Sequence, residues 1–402
     1  MRTRPLADSV LRLIWQERAI SRAEIARRAD LSRSTVSEVV DTLLPTGLVT
    51  EGGPGESLGG RRPIVLNFQD DACCILGVEM GASHVAVALT DLRGRVIDWE
   101  HRHHPVRSDP EGTRALIAEL CDASLASRKS GARRLVGIGI AVPSPVDPKH
   151  PFSLSEVVLP DWKGTSGLDF LGERYGVPVM VDNDANLGAL AEHWWGAARG
   201  AHHFAYVKVG TGVGSGHVID GEVYRGATGF AGEIGHMSID PNGELCVCGL
   251  RGCLATHVGS PALVKRARAL LGEYPGSSLA NGKTTIDIIE KAAIDGDELA
   301  LRVVRDAAEY LGIAIAGMLN LMNPSVVIVG GGITQLGDRF LLPLRETIQQ
   351  RTRVHTGAVS SILMSELGWQ TIAVGAASMV LKEALANPRL FPAANRAAKA
   401  IR

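Results

Sequence analysis

The sequence has almost no net charge: 42 basic and 43 acidic side chains over 402 residues leave −1. A generally basic surface is thereby excluded, so any nucleic-acid contact has to come from a local patch. No apolar run approaches the ~18 residues needed to span a bilayer. The first residues, Met1-Arg2-Thr3-Arg4-Pro5, lead into a charged amphipathic segment rather than a signal-peptide core, so the chain is expected in the cytoplasm. Cysteine is sparse, with six in the whole chain, and in a reducing compartment these are expected as buried thiols or metal ligands rather than disulfides. Heptads and low-complexity tracts are missing too. What remains is an ordinary globular composition, 45% hydrophobic, in a chain long enough for two or three domains.

The first segment differs in texture from everything after Asp71. Leu6 to Trp15 carries apolar residues at helical spacing. Ser21, with Glu24 three residues on, writes a capping box that opens a short helix through Ala29. After Asp30-Leu31, Ser32 serves as the next N-cap. Val36, Val39, Val40 and Leu43 then fall on one buried face and leave Arg33, Ser34, Thr35 and Ser37 at the start of the helix. A strand beginning at Gly47-Leu48-Val49, a glycine-rich loop from Gly52 to Gly60 and a return through Arg61-Arg62-Pro63-Ile64-Val65-Leu66 complete the pattern of a winged helix-turn-helix.

Such a unit sets the N-terminal residues of its second helix against base edges in the major groove. Ser32, Arg33, Ser34, Thr35 and Ser37 are therefore the candidate readers, with Arg33 able to address guanine. Arg22, Arg27 and Arg28 are candidates for holding the phosphate backbone, and Arg61 and Arg62, on the wing, for backbone or minor-groove contacts. Ten arginines, no lysine and eight acids between Met1 and Arg62 leave only a small excess of positive charge, so placement has to carry the contact.

From Cys74 onward the pattern is α/β. Ile75 to Met80, Val85 to Thr90, Leu135 to Val142, Val177 to Val181, Ala205 to Val209 and Val326 to Val329 read as strands, with helical stretches such as Gly112 to Leu125 and Leu299 to Leu321 between them. Two glycine-bearing turns, Gly81-Ala82-Ser83 and Gly210-Thr211-Gly212-Val213-Gly214, each sit between the strands of a hairpin, which predicts two related lobes.

Between Gly235 and Ser260 the chain places His236, Cys246, Cys248 and Cys253 in one polar, glycine-rich stretch. One imidazole and three thiolates satisfy the tetrahedral preference of zinc, and four filled positions make the site structural. Cys73, Cys74 and Cys121 lack that setting and read as buried thiols.

The run AGEIGHMSIDPNGELCVCGLRGCLATH resembles the signature of the ROK family of repressors and sugar kinases. VDNDAN from Val181, GTGVGSGHVIDGEVYRG from Gly210, AVPSPVD from Ala141 and VIVGGG from Val327 resemble family motifs in the family's order. The resemblance implies a two-lobed, actin-like sugar-kinase fold behind the winged helix, with domains at 1–70, 71–184 (completed by 375–402) and 185–374. It also implies a sugar site built on Asn183, Asp184, Glu233 and His236. In the family's kinases the residue matching Asp184 is the general base. His236 would bind zinc through one ring nitrogen and turn the other to the ligand.

The chain also departs from the kinase pattern. Where kinases carry DxGGT it has Glu79-Met80-Gly81-Ala82-Ser83, which argues against ATP and Mg²⁺ binding and leaves Gly81, Gly210, Thr211, Gly212 and Gly331 as remnants of nucleotide loops. Ala255 stands where the family supplies a sugar-binding glutamate, and Ser144-Pro145 replaces a glycine-containing form. The expectation is a regulator rather than an enzyme, a repressor of carbohydrate genes that binds operator DNA and a sugar or sugar derivative as a dimer or tetramer. The competing expectation is a working sugar kinase with a DNA-binding extension.

Overall fold

In the computed structural model, which describes residues 4–54, 64–127, 133–280, 282–352 and 361–394, the N-terminal segment is α1 (Arg4–Glu17), β1 (Ala19–Ser21), α2 (Arg22–Arg28), α3 (Arg33–Leu43), β2 (Val49–Pro54) and β3 (Ile64–Phe68). Ser21 Oγ accepts the Glu24 N–H at 3.2 Å and Ser32 Oγ accepts that of Thr35 at 3.1 Å, so both helices start at the serines that cap them. The capping box is only half formed: the Glu24 carboxylate turns to Arg27 and Arg28, because two guanidiniums one turn ahead outcompete a single backbone N–H. Val36, Val39, Val40 and Leu43 are buried as the spacing predicts. The strands form an antiparallel sheet in the order β1-β3-β2. Arg61 and Arg62, in the segment joining β2 to β3, lie outside the described residues.

The first lobe contains β4 (Cys73–Met80), β5 (His84–Thr90), β6 (Val96–His103), α4 (Pro110–Ala126), β7 (Arg134–Val142), α5 (Phe170–Tyr175) and β8 (Val179–Asn183). Next come α6 (Asp184–Trp194), β9 (Phe204–Val209), β10 (Val213–Ile219), β11 (Glu222–Tyr224), α7 (Ala255–Val258), α8 (Ser260–Leu270), α9 (Ile286–Ile294), α10 (Glu298–Met322), β12 (Val326–Gly330), α11 (Asp338–Arg351), β13 (Ser361–Met364) and α12 (Thr371–Ala386). The sheets run β6-β5-β4-β7-β8 and β11-β10-β9-β12-β13. In each, three strands form an antiparallel meander, the central strand pairs in parallel with a later one, and that strand pairs in parallel with the last. The lobes therefore share one topology, and the two glycine turns occupy equivalent places. Strands β6, β11 and β13 carry no strong sequence signal because they are short or only half-buried edges.

Helices α12 and α6 pack between the two sheets. The packing is close enough to demand glycine. Gly77 and Gly139, paired across β4 and β7, face α12, and a Cβ on either would overlap the carbonyl of Ala373 or Ala376. Strand β4 is buried along its whole length, which is why CCILGVEM reads as a continuous run rather than alternating. Among the described residues no helix is long and apolar enough to cross a membrane.

The winged helix is not a separate globule. One hydrophobic cluster takes in Val10, Ile14, Ile25, Val36, Leu48 and Phe68 together with Cys73, Ile75, Leu92, Val136, Val380 and Leu381. At its margin Trp15 of α1 packs on Trp194 (ring centroids 5.4 Å apart) and Trp195 (6.2 Å), with the Arg93 guanidinium 4.8 Å from the Trp15 ring. Trp15 donates to Leu92 O at 2.9 Å, Trp195 donates to Ser378 Oγ at 2.7 Å, and Arg93 donates to Asp70 at 2.7 Å.

Candidate functional site

The zinc candidates come together. Nitrogen and sulfur atoms of His236, Cys246, Cys248 and Cys253 all lie within 4.8 Å of one another. Cys246 Sγ is 3.6 Å from His236 Nδ1, and Cys248 Sγ is 3.6 Å from Cys253 Sγ. Tetrahedral ligands held about 2.3 Å from an ion stand a little under 4 Å apart, so the set fits zinc. Burial keeps the His236 imidazole below its ordinary pKa, in the neutral form that binds metal. Burial and the neighbouring thiols push Cys253 up to about 12, so this thiol ionises readily only with a cation beside it. His236 Nε2 points away from the sulfurs, 3.9 Å from Glu233 Oε2. Cys73, Cys74 and Cys121 are buried elsewhere, as core thiols.

The VDNDAN motif bends from β8 into α6, and each polar residue in it has its own task. Asn183 caps α6: its Oδ1 accepts the N–H groups of Ala185 (2.9 Å) and Asn186 (3.2 Å), while its Nδ2 donates to Ser144 O at 3.2 Å. The cap is thus Asn183 and not Asp184, and both ends of its amide are engaged within the protein. Asp182 Oδ2 accepts both Nε (2.9 Å) and Nη2 (2.6 Å) of Arg225, and its Oδ1 accepts Asn186 Nδ2 at 3.2 Å. Asp184 opens the first turn of α6 and is 2.5 Å from Lys208 Nζ. Burial, with the Asp184 charge adding to it, raises the Glu233 pKa to about 7.

Lys208 and Arg225 escaped the motif reading. Both have a visible signal: Lys208 is the single charge in the strand FAYVKV, and Arg225 closes the stretch that begins at the second glycine turn.

The other glycine turns also converge. Gly210 and Gly332 line one small cavity with Glu290, and Gly331, at φ +93°, passes so close to Val209 O that no side chain fits there. Thr211 opens onto a larger cavity of about 520 Å³ edged by Lys265, Arg268 and Lys283. Gly81 lies at the β4–β5 turn, against the His84 ring.

Burial, with help from Asp287, raises Glu290 to about 7. A folded pKa above the ordinary 4.5 means that stability from this group is complete below about pH 4.5 and is lost as pH rises through 7. Glu290→Gln is therefore expected to add about 1–2 kcal/mol at pH 8 and almost nothing at pH 4.5, read as melting temperature against pH. Equal shifts at both pH values would remove the charge explanation.

A family model described as the ROK family matches residues 75–383. The chain belongs to the ROK family. A second model, the MarR family, matches residues 9–51 of this ROK chain. The xylose repressor of Caldicellulosiruptor bescii is 32% identical over 385 residues, covering 94% of this chain and 96% of that protein. The DNA-binding transcriptional dual regulator NagC of Escherichia coli is 33% identical over 390 residues, covering 94% and 92%. A solved ROK family transcriptional regulator, a homolog of the E. coli MLC protein, superposes with a TM-score of 0.81 at 27% identity over 97% of this chain and 99% of that one.

In the MarR-like segment of this ROK protein, Ser32, Arg33 and Ser34 are exposed at the start of α3, with Thr35 and Ser37 half-buried behind them. Ser32 Oγ, besides capping the helix, meets Ser34 Oγ and Thr35 Oγ1, both at 2.8 Å. Arg22 does not stand free for phosphate: it bridges Glu51 at 2.5 Å and Asp41 at 3.4 Å, fixing α2 to α3 and β2. Arg27 and Arg28 share Glu24 and, although exposed enough to rearrange, are already paired.

Proposed function

We propose that this ROK chain is a sugar-responsive transcriptional repressor. In this reading α3 reads operator DNA, the cleft around Asp184 and Glu233 takes the effector, and a structural zinc fixes His236 beside it. The observation that carries the reading is the course of α6. It begins at Asp184 in the cleft and ends about 16 Å away at Trp194, whose ring packs on Trp15 of the DNA-binding unit. A ligand that draws on Asp184 thus pulls on the helix against which the reading head rests, and the two sites become coupled.

The effector class is an uncharged monosaccharide. The two relatives are named for xylose and, as NagC, for regulation at DNA, and in the cleft Asp184 is paired with Lys208 and Glu233 stands beside His236. Ala255, at the start of α7, offers no carboxylate to it, which favours a sugar differing from those that need that contact. Two copies acting on a two-fold operator give the simplest assembly.

The test is fluorescence anisotropy on an operator duplex selected from random DNA. A sugar from a neutral panel is expected to release the duplex, without nucleotide. If no sugar that raises the melting temperature changes DNA affinity, the coupling is absent. In the same assay Arg33→Ala is expected to cost about 1–3 kcal/mol on the selected duplex and little on random DNA. An equal loss on both would make Arg33 a phosphate contact instead.

A further inference from the structure

The shared topology of the two sheets puts Glu79 and Lys208 in equivalent places. Each is the second-last residue of the strand that enters its lobe's glycine turn, one on β4 and the other on β9. They carry opposite charge and meet across the cleft. Lys208 Nζ is 3.7 Å from Glu79 Oε1 and 2.5 Å from Asp184 Oδ2, and His84 Nε2 closes the other side of Glu79 at 3.3 Å. The three charged side chains are 6% (Glu79), 10% (Asp184) and 16% (Lys208) exposed.

Two carboxylates of the first lobe, Glu79 near the end of β4 and Asp184 just past β8, brought to one desolvated point would hold each other protonated unless a cation stood between them. Converging carboxylate oxygens are also what a hard divalent ion such as Mg²⁺ or Mn²⁺ seeks. Here the point is filled by an ammonium on its own covalent tether. Burial alone would lower the Lys208 pKa and raise that of Glu79. Both move the other way, Lys208 upward through Asp184 and Glu79, and Glu79 downward through His84 and Lys208.

We propose that Lys208 is a resident cation that occupies the divalent-ion position of the cleft and joins the two lobes, and that it determines what the cleft accepts. It excludes a free divalent ion, and with it a metal-borne polyphosphate. Asp184 keeps its outer oxygen for a hydroxyl, while its charge is held and cannot serve as a base. An uncharged polyol meets those conditions; this last step rests on the proposed effector role of the cleft.

The experiment uses full-length, zinc-loaded protein, so that the cysteine cluster cannot take up the probe, and follows Mn²⁺ by electron paramagnetic resonance and by thermal melting in metal-free buffer. Wild type is expected to show no Mn²⁺ binding that depends on Glu79. Lys208→Gln should bind one Mn²⁺ per chain, roughly a hundredfold tighter than wild type, and should melt higher with Mn²⁺ than without. Glu79→Gln/Lys208→Gln should lose that ion.

If Lys208→Gln alone does not accumulate in folded form, the double variant, which removes one of the two orphaned charges and leaves Asp184 without a like-charged neighbour at Glu79, is expected to fold; failure of both overturns the charge-pair argument. The proposal also falls if wild type binds Mn²⁺ in a Glu79-dependent way, or if folded Lys208→Gln binds none. No arm contains sugar or DNA, so a negative result leaves the repressor reading standing.

Discussion

Purified Cys253→Ser protein is expected to contain less than a tenth of a zinc ion per chain, where wild type contains one, and to melt well below it; roughly, the loss of a thiolate ligand removes most of the affinity of a Cys3His site. The expectation rests on the place of Cys253 in the cluster. It is fully buried, its Sγ touches that of Cys248, and it approaches His236 O at 3.6 Å, so it lies at the closed end where the two halves of the loop meet. The backbone there also holds the loop together, through Ser238 with Cys253 and Leu245 with Arg251.

Structural zinc contributes about 10–16 kcal/mol in small isolated zinc domains. In a loop anchored on a large lobe the expected loss is smaller, on the order of several kcal/mol, and concentrated near the cleft. Freed from the metal, His236 would no longer hold its Nε2 toward Glu233, so effector binding should fail with the metal. Elemental analysis and melting check the first part, and sugar-induced melting shifts check the second. Cys121→Ser is the control: its thiol is buried in the first lobe and should keep full zinc. Full zinc in Cys253→Ser would remove the cluster as a metal site.

Asp184→Asn is expected to abolish the effector response while leaving operator affinity unchanged. Replacing the carboxylate by an amide keeps the size and one acceptor but removes a charged hydrogen bond, worth about 1.5–3 kcal/mol, or one to two decades in sugar affinity. Lys208 retains Glu79, which limits the damage to the fold. In anisotropy the variant should remain on its operator at sugar concentrations that release wild type. A variant released by sugar as readily as wild type would place the effector elsewhere. Phosphorylation of a sugar by the wild-type protein with ATP, lost in Asp184→Asn, would instead restore the kinase reading.

Much of this architecture is legible in the sequence because it rests on short-range rules. The burial of Val36, Val39, Val40 and Leu43, the caps at Ser21 and Ser32, and the paired glycine hairpins all follow from spacing within a dozen residues. The cysteine cluster is legible for the same reason. Lys208 was not, because its meaning lies in partners brought from another lobe by the sheet topology, and within β9 it reads only as a polar interruption. The ion pairs of Arg22 escape the sequence for a related reason: only the fold brings Glu51 of β2 onto it. The change of texture at Asp71 marks a change of secondary-structure pattern, which is a local property, and says nothing about where one core ends.

The common core of the winged helix and the first lobe limits how such a protein can be rearranged. Cutting the chain at Asp71 would leave Cys73, Ile75, Leu92, Val136, Val380 and Leu381 facing water along a continuous apolar strip, a surface that invites aggregation. The reading head is therefore not a cartridge that recombination can exchange between regulators by joining sequences at the linker. On the proposed reading, a new operator preference would be written residue by residue on the outer face of α3, where the exposed Arg33 and Ser34 can change without disturbing the strip beneath.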